Sequence, residues 1–544
     1  MTKKIKLESG DYVFINWNVI GHLSGWIDLL FKNSRDLKDF GILSPVVMDE
    51  QNKVYSLGGY IMPVTIAPVF YGMGEPYYRQ YPGTRSVELV PLLCCIISKE
   101  LIERIGEPEK AGDILKDADY CLRAAEAGFK IYSTDKFSVQ FLRPSVSDDK
   151  VAAAAKGLEL EHAIFKHTWA NKIADRFKTP VVYQCSATSP TGFARAAGGY
   201  IKGLYENGVK VHYNNIKGIP FQEITIADPI ITDAREEVPS MRIPQVVWGQ
   251  APLFFKNSGK YRIGHCEFEG EDIPREWIPY CNMMNELWVP TNWDRERFRR
   301  AGVNIPIYVF AQGADPNYHH PDMAPMQFDI REPFKFLCVG AWDPRKNLHN
   351  LINAFQQEFG KEEGVSLIIK TMDIGLGEPP SKVVKGLKSK KDGAYVHVIE
   401  SDFSDVEMGT LYTACNAFVL PTHGEGWGLP QIEALMSGLP VITTGWSAPN
   451  EILRDEKGEP YEGVHLLPAR VVTAKSSYFY LDGNRWAEPD LNALMERMRF
   501  VFENYKEERE KALRTSKLIR ERYNWKEVCR PIAERFAAIY KELY

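Results

Sequence analysis

The sequence predicts an α/β protein that contains two doubly wound parallel sheets in series, preceded by a smaller α/β block. Two observations lead to this prediction: short apolar runs alternate with helical patterns, and two long stretches of this alternation follow one another. With 544 residues, the chain has room for about three to four domains. Its composition, 44% hydrophobic and 25% charged, is that of globular proteins and excludes disordered, collagen-like and coiled-coil chains.

The first block is a predicted α/β domain joined to the rest of the chain by a helix. The runs Tyr12–Asn16 and Gly41–Met48 are typical of strands, and Ile97–Gly106 is typical of a helix. An Ala-rich, charged connecting helix follows. The predicted boundaries are 1–150 for this domain, 151–178 for the helical linker, 179–330 and 331–510 for the two sheet-containing domains, and 511–544 for a C-terminal helix.

The two parallel sheets are predicted from buried apolar runs. Val181–Cys185 is typical of a strand covered on both faces, and Lys335–Gly340 opens the second sheet. The helix after Lys335–Gly340 places Leu348, Leu351, Ile352 and Phe355 on one face, which predicts a buried stripe. Ligands bind at the C-terminal ends of parallel strands, so two such sheets are expected to enclose a ligand between them. From Ala487 onward the chain is predicted to be helical.

Charge and cysteine content limit the partners and the compartment. The 66 Lys and Arg against 71 Asp and Glu give a net charge of −5, which offers no reason to expect nucleic acid as a partner. The nine cysteines form no CxxC pair and are predicted to be reduced thiols. Without an apolar run of about 18 residues or a signal-peptide core, the chain is predicted to be cytoplasmic. The five lysines within 382–391 are predicted to form a solvated face, with a membrane contact at most peripheral.

The segment Pro421–Ile442 carries the strongest chemical signal. A buried strand ends at Pro421, a loop with glycines 424, 426 and 428 follows, and Pro430 opens a helix. Such a loop lets backbone amides approach a phosphate, and Glu425 and Glu433 can accept hydrogen bonds from hydroxyls of one ligand. The competing interpretation makes Glu433 a helix N-terminal charge and Glu425 an ordinary turn residue. The pairing of both with three glycines favours the functional interpretation.

This segment resembles the E-x7-E motif of family 4 retaining glycosyltransferases, which have the GT-B fold of two Rossmann-like domains and a C-terminal crossover helix. Glu425 and Glu433 occupy the two glutamate positions, and the resemblance extends over most of 179–544. It places Arg345 and Lys346 where the family binds the donor diphosphate. The resemblance implies a catalytic set of Glu425, Arg345 and Lys346 and a donor-binding set of Glu433, Gly192, Gly426, Trp427, Gly428 and Leu429.

The basic pair also has a direct physical meaning. Sugar transfer from a nucleotide sugar leaves negative charge on a diphosphate, and a guanidinium and an ammonium at the end of a strand stabilise that charge. Alone, Arg345 and Lys346 would be interpreted as a solvent-facing pair. The resemblance implies that the leaving phosphate accepts the proton of the acceptor, and we predict neither a metal nor a cofactor.

The acceptor side is predicted from the stretch His265–Trp277, which resembles a stretch near the acceptor in a subset of these enzymes. His265 and Glu269 are the acceptor-side candidates, with Glu267 as a further polar residue, and a structural role is the alternative. The loop Ser189–Gly192 lies where the family has a glycine-containing loop facing the donor phosphates, although it lacks a richer run of glycines.

Residues 11–147 resemble the back half of a family 2, GT-A type glycosyltransferase. Asn16-Trp17-Asn18 stands where the family has its acidic metal-binding motif, and amides are poor ligands for a hard dication. The nucleotide-binding front half of that family has no counterpart in the chain. Asp117 and Asp119 occupy the place of the later acidic motif and are predicted to be helix N-terminal charges. We predict a truncated, non-catalytic domain that packs on the second catalytic unit or presents acceptor to it; an active variant is the alternative.

The sequence as a whole predicts a retaining glycosyltransferase that moves a sugar from a nucleotide-diphosphate sugar to a hydroxyl acceptor such as a glycan. The first alternative is a catalytically vestigial protein that binds nucleotide or glycan. An NAD-dependent oxidoreductase would explain the two α/β domains, but the first strand is not followed by GxGxxG. Donor sugar, acceptor and oligomeric state stay open at this level.

Overall fold

A computed structural model describes residues 2–16, 18–21, 25–109, 112–142, 148–187, 191–216, 229–235, 238–372, 380–386, 393–476 and 478–544. Trp17, Ser189, Pro190 and most of the lysine cluster named above lie outside these residues. The chain folds into two compact units, Met1–Phe177 and Lys178–Tyr544.

The first unit is an α/β domain built on a mixed eight-stranded sheet. The sheet follows the order β1-β2-β9-β4-β10-β3, with β5 added beside β4 and β8 beside β10. The strands of the first unit are β1 (Thr2–Lys6), β2 (Tyr12–Asn16), β3 (Val19–Gly21), β4 (Phe40–Met48), β5 (Val54–Ser56), β6 (Gly59–Ile61), β7 (Pro68–Phe70), β8 (Thr84–Val87), β9 (Cys94–Ile97) and β10 (Lys130–Phe141). Strands β6 and β7 pair with each other in a separate two-stranded sheet. Its helices are α1 (Trp26–Ser34), α2 (Lys99–Ile105), α3 (Ile114–Glu126) and α4 (Asp148–Ala174).

The two acidic residues singled out in the first unit have different surroundings on helix α3. Asp117 lies in the first turn, is buried, and accepts hydrogen bonds from the backbone N–H groups of Leu92 (2.9 Å) and Gly112 (3.0 Å). Asp119 accepts from Arg123 at 2.9 Å and from the indole N–H of Trp169 at 3.0 Å. Asp117 therefore ties α3 to the segment before β9. The likeness of this unit to a GT-A domain stays a prediction.

The second unit begins with a lobe, here called the first lobe, whose six strands are all parallel. The strand order is β12-β11-β13-β14-β15-β16. Its elements are β11 (Val181–Cys185), α5 (Gly192–Glu206), β12 (Val211–Asn215), α6 (Pro229–Asp233), β13 (Gln245–Trp248), β14 (Arg262–His265), α7 (Ile278–Asn282), β15 (Glu286–Val289), α8 (Asn292–Ala301) and β16 (Ile307–Val309). Two 3-10 helices, Ala251–Lys256 and Arg275–Trp277, precede α7.

The second lobe has another parallel six-stranded sheet, in the order β19-β18-β17-β20-β21-β22. Its sheet elements are β17 (Phe334–Val339), α9 (Leu348–Glu358), β18 (Val365–Lys370), α10 (Pro380–Gly386), β19 (Tyr395–Ile399), α11 (Asp405–Thr413), β20 (Ala417–Leu420), α12 (Leu429–Met436), β21 (Val441–Thr444), α13 (Ala448–Ile452) and β22 (Val464–Leu467). The order reverses between β17 and β20, which is where doubly wound sheets bind ligands. The predicted stripe on α9 is confirmed, because Leu348, Leu351, Ile352 and Phe355 are all buried.

A β-hairpin that the sequence did not predict follows the second sheet. It consists of β23 (Ala469–Thr473) and β24 (Arg485–Pro489), paired antiparallel. The prediction that helix begins at Ala487 is therefore wrong for its first residues. Trp486 and Ala487 are buried in this hairpin, and the next helix begins only after Asp490, whose carboxylate caps its N-terminus.

The chain ends in three helices, α14 (Leu491–Glu503), α15 (Tyr505–Arg522) and α16 (Trp525–Leu543). Helix α15 packs on α12 of the second lobe, whereas α16 packs on α5 of the first lobe. The predicted single C-terminal helix is thus two helices, because α15 stops at Tyr523 and the Asn524 side chain caps α16. The close packing of α16 on α5 depends on Gly199 and Gly203, which face Trp525.

The prediction of two Rossmann-like lobes with a C-terminal helix that crosses between them is confirmed. All nine cysteines are free thiols and buried, as expected for reduced cysteines. Among the helices in the described ranges, none is both long enough and apolar enough to span a bilayer.

Candidate active site

The predicted basic pair and the predicted acidic loop meet because their strands are neighbours. Strands β17 and β20 lie side by side at the reversal point of the second sheet. The chain leaves β17 into a short 3-10 helix, Pro344–Lys346, whose N-terminus is capped by the Asp343 carboxylate accepting from the Arg345 N–H at 2.7 Å. The chain leaves β20 into the glycine loop, here called the acidic loop, which runs from Pro421 to Gly428.

Lys346 and Arg345 converge on Glu425. The Lys346 ammonium donates to both carboxylate oxygens of Glu425, at 2.7 Å and 2.8 Å. The Arg345 guanidinium donates to Glu425 Oε2 at 3.1 Å and to the Gly424 carbonyl at 2.7 Å. All three side chains are largely buried. The three predicted catalytic residues therefore form one compact ionic cluster.

Burial and charge set the ionisation of this cluster. Burial acts to raise the pKa of Glu425, but Lys346 and Arg345 together outweigh it and hold the pKa below its ordinary value. Burial acts to lower the pKa of Arg345, but Glu269 and Glu425 raise it well above its ordinary value. The cluster consequently holds a carboxylate and a guanidinium in their charged forms.

The acidic loop is held in place by neighbours on three sides. The Ser447 hydroxyl accepts from the Glu425 backbone N–H at 3.0 Å. The His423 N–H donates to the Arg345 carbonyl at 2.8 Å, which links this loop directly to the 3-10 helix. The His423 ring stacks on Trp486 with a centroid distance of 4.5 Å, and its Nδ1 lies 2.7 Å from the Ala487 carbonyl. His423 thus joins the acidic loop to the hairpin.

Glu433 has a separate environment on helix α12. The helix begins at Leu429 with Pro430 second, so Glu433 lies in its second turn and the helix N-terminal interpretation does not fit. The Tyr412 hydroxyl donates to Glu433 Oε2 at 2.7 Å, and His319 Nε2 lies 3.7 Å from Oε1. Tyr412 and His319 therefore hold the Glu433 side chain in place, and neither residue belongs to the acidic loop.

Two glycines of the acidic loop are required by close packing against the first lobe. A Cβ on Gly424 would lie 2.3 Å from the Glu269 carbonyl oxygen, and one on Gly426 would lie 2.8 Å from the Glu267 side chain. Gly428 is the N-cap of α12 and has a φ of 110°, which an L side chain rarely adopts. Space for the backbone, more than flexibility, explains this run of glycines.

The remaining predicted donor-binding residues lie where the lobes approach each other. A Cβ on Gly192, the first residue of α5, would find Leu429 Cδ1 at 3.9 Å, so these two residues face one another. Trp427 is buried, with its ring 5.5 Å from that of Tyr523, and its indole N–H has no hydrogen-bond acceptor among the described residues.

The acceptor-side candidates divide into one residue beside the cluster and one within the core. Glu269 Oε1 lies 3.7 Å from an Arg345 nitrogen. Burial raises the pKa of Glu269, with Arg345 opposing the rise. His265 is buried between aromatic rings, stacked on Trp248 at 5.3 Å, with Nδ1 2.9 Å from the Tyr183 hydroxyl. Burial lowers the pKa of His265 to about 3, so this ring is neutral and packed like a core residue.

Glu267 lies next to this set as well. The Gln312 amide donates to its Oε2, and burial, followed by the charge of Glu269, raises the pKa of Glu267 to about 7. Sequence reasoning missed three residues that hydrogen-bond to the glutamates of the site. Ser447 bonds to the backbone of Glu425, and the side chains of Tyr412 and Gln312 bond to Glu433 and Glu267, respectively. Asp343 could have been predicted as a helix-capping residue, because an aspartate directly before a proline is typical of a helix N-terminus.

Residues 326–471 match the model of the family described as "Glycosyl transferases group 1". This range contains the basic pair, the acidic loop and helix α12. Sucrose synthase 1 of rice, Oryza sativa subsp. japonica, is 24% identical over 257 residues, which covers 44% of this chain and 30% of that protein. The O-antigen chain mannosyltransferase RfbU of Salmonella typhimurium is 31% identical over 118 residues, which covers 22% of this chain and 31% of that protein.

The matched region thus spans about a third of the length of these curated relatives. Among solved structures, the sucrose-phosphate synthase of Thermosynechococcus elongatus aligns with a TM-score of 0.49 and 13% identity. That alignment covers 67% of this chain and 99% of the other.

Proposed function

We propose that the protein is a glycosyltransferase that moves a sugar from a nucleotide-diphosphate sugar to an acceptor hydroxyl. The observation that carries this proposal is the buried cluster of Arg345, Lys346 and Glu425 at the ends of two adjacent strands. The match of this same region to a glycosyltransferase family supports it.

The donor diphosphate would replace the Glu425 carboxylate as the partner of Arg345 and Lys346. Without donor, the carboxylate of Glu425 is the shared partner of both cations and offsets one of their two positive charges. A diphosphate brings more negative charge to the same two groups, and the N-terminus of α12 offers backbone N–H groups to phosphate oxygens. As the bond to the sugar breaks, negative charge grows on the diphosphate, and Arg345 and Lys346 stabilise it without having to move far.

Retention of the anomeric configuration and independence of metal are further parts of the proposal. Both follow from the resemblance to family 4 glycosyltransferases. In this mechanism the leaving phosphate accepts the acceptor proton on the face where the new bond forms. Glu425, released from the cations, would accept a hydrogen bond from a donor sugar hydroxyl. Glu433, at the other end, would accept hydrogen bonds from the nucleoside ribose.

The first test is whether nucleotides stabilise the native protein. A ligand that binds only the folded state raises the melting temperature by mass action, by an amount equivalent to about 2.7 kcal/mol at a hundredfold excess over Kd. We expect at least one of UDP, GDP and ADP to do so, and the corresponding nucleotide sugars to be turned over by the wild-type protein. No stabilisation by any of the three nucleotides would contradict the proposal.

Replacing Glu433 with alanine is expected to weaken nucleotide binding by about tenfold, which is the effect of losing one or two hydrogen bonds to a charged group. Isothermal titration calorimetry with the nucleotide found above measures it. Glu456→Ala is the matched control, because Glu456 is an exposed glutamate of the same lobe outside helix α12. Equal affinities in the two variants would remove Glu433 from the donor site.

The alternative function is a vestigial protein that binds nucleotide or glycan without turnover. The complete ionic cluster in the second lobe argues against it. The two functions are separated by one comparison: nucleotide binding together with transfer or hydrolysis of the nucleotide sugar indicates the enzyme. Nucleotide binding without any release of sugar across UDP-, GDP- and ADP-sugars indicates the vestigial protein.

For the first unit we propose a GT-A-like domain without catalytic activity of its own. Asp117 is already committed to two backbone N–H groups, which supports a structural role for it. A cytoplasmic location is also part of the proposal. The nine free, buried thiols support it, because such cysteines persist in a reducing compartment.

A further inference from the structure

The hairpin of β23 and β24 reaches from the second lobe onto the first. Its connecting segment places Leu481, only 1% exposed, within the hydrophobic cluster of the first lobe that contains Phe268 and Trp277. The Tyr480 ring lies 5.8 Å from the Trp277 ring and 6.3 Å from the Phe268 ring. The hairpin is therefore anchored in the core of the other lobe.

Polar contacts fasten the same hairpin to the loop that carries Glu269. Arg485 forms two hydrogen bonds to the Asp272 carboxylate, at 2.8 Å and 2.9 Å. The Asn484 amide donates to the Asp272 carbonyl at 2.6 Å, and the Glu271 N–H donates to the Arg485 carbonyl at 2.8 Å. At its base, the hairpin is held by the stacking of Trp486 on His423. The end of the hairpin is consequently fixed from both lobes.

Three consecutive aromatic residues, Tyr478, Phe479 and Tyr480, form the end of this hairpin, here called the aromatic tip. Phe479 is 79% exposed, so that its ring is open to solvent on a segment that both lobes hold in place. Its ring meets that of Tyr480 edge-on at 5.6 Å, and the rings of Tyr478 and Tyr480 are also 5.6 Å apart.

The aromatic tip packs on the segment that carries Glu269, because the Tyr480 ring lies 6.3 Å from the ring of Phe268, the residue before Glu269. Burial raises the pKa of Tyr478 to about 12, with Asp343 adding to the rise and Arg345 opposing it. Burial also raises the pKa of Tyr480, with the charge of Glu269 adding to the rise and Arg345 opposing it. The charges of Asp343, Arg345 and Glu269 therefore act on both tyrosines.

We propose that the aromatic tip binds the sugar ring of a carbohydrate acceptor, with Phe479 as the stacking surface. This inference rests on the proposed function and names the substrate class of its acceptor side. A pyranose has an apolar C–H face, which packs on an aromatic ring, and hydroxyls on its rim, which donate to a carboxylate such as Glu269. Because the tip is fixed from both lobes, little conformational entropy is lost on binding.

The test measures the binding of simple sugars directly. The probes are the methyl α-glycosides of glucose, galactose, mannose and N-acetylglucosamine at millimolar concentrations, followed by saturation-transfer difference NMR. We expect at least one to bind the wild-type protein, Phe479→Ala to weaken it by about 5- to 10-fold, and Phe479→Trp to restore it. Phe255→Ala is the control, because Phe255 is a phenylalanine of the first lobe that is also exposed, at 63%. Phe255 lies two residues before Asn257, whose amide donates to the carbonyl of Gln245, the first residue of β13. Phe255 is therefore near the N-terminal end of the strands of that lobe.

The outcomes separate this inference from the proposed function. If nucleotides stabilise the protein but none of the four glycosides binds, or if Phe479→Ala binds them as well as Phe255→Ala does, the acceptor assignment is overturned while the donor site stands. If no nucleotide stabilises the protein, the proposed function fails, whatever the glycosides do. With a donor that is turned over, Phe479→Ala is further expected to raise the KM for a glycoside acceptor more than it lowers kcat, whereas Phe255→Ala is expected to keep the wild-type KM.

Discussion

Replacing Lys346 with alanine is expected to lower the rate of sugar transfer by about 10²- to 10³-fold, the usual effect of removing one preorganised group that stabilises developing negative charge. The ammonium touches both oxygens of Glu425 in the free protein, and no other lysine in the described residues contacts that carboxylate. Steady-state kinetics with a sugar conjugate of the nucleotide that stabilises the protein measure the effect. We expect the main loss in kcat, because the charge that Lys346 stabilises is greatest in the transition state.

Folding has to be monitored in the same experiment. The alanine variant leaves Glu425 with Arg345 as its remaining cationic partner, so the native state is expected to persist with a lowered melting temperature. Lys457→Ala, which removes an exposed lysine of the same lobe, is the control for handling and expression. A well-folded Lys346→Ala protein with wild-type kcat would exclude the cluster as the catalytic centre.

The second large effect concerns stability. Gly203→Ala is expected to destabilise the protein by about 1–3 kcal/mol, because the added methyl group overpacks the contact between α5 and α16. Its Cβ would lie 2.4 Å from the Trp525 carbonyl oxygen and 2.7 Å from Cys529 Sγ, and the first of these is backbone that cannot rotate away. Denaturant unfolding followed by circular dichroism measures the change in free energy.

Gly192→Ala is the matched control for stability, since Gly192 begins the same helix and its Cβ would find only Leu429 Cδ1, at 3.9 Å. We expect this variant to unfold at or above the wild-type denaturant concentration, because alanine favours a helix more than glycine does. Equal stability of Gly203→Ala and Gly192→Ala would mean that α16 does not pack on α5 in solution as it does here.

Much of the two-lobed region could be predicted because its local and long-range signals agree. The apolar runs at Val181–Cys185 and Lys335–Gly340 became central parallel strands, and the stripe on α9 became a buried face. The sequence was sufficient to predict that Arg345 and Glu425 lie close together, although not which atoms are in contact. Residues that follow neighbouring strands at a reversal point must lie close together, however far apart they are in the sequence.

The rest depended on contacts that sequence patterns do not record. Trp486 and Ala487 resemble the start of the charged C-terminal helices, but pairing with β23 and stacking on His423 make them strand. His265 was a candidate by residue type, whereas burial among aromatic rings gives it the packing of a core residue. Tyr412 and Ser447 carry no motif, and only the folded chain brings their hydroxyls to Glu433 and Glu425.

The salt link between Glu425 and the basic pair is also expected to limit which anions can occupy the donor site proposed above. A carboxylate tethered by its own chain is present at high effective concentration, so it acts as an intramolecular competitor. A small anion such as sulfate or inorganic phosphate gains little by displacing it, because the liberated Glu425 would then be buried without a donor. A nucleotide sugar carries two phosphates for the cations and a sugar hydroxyl for the displaced acid. On the proposed function, we therefore expect sulfate and inorganic phosphate to inhibit sugar transfer far less than a nucleoside diphosphate does.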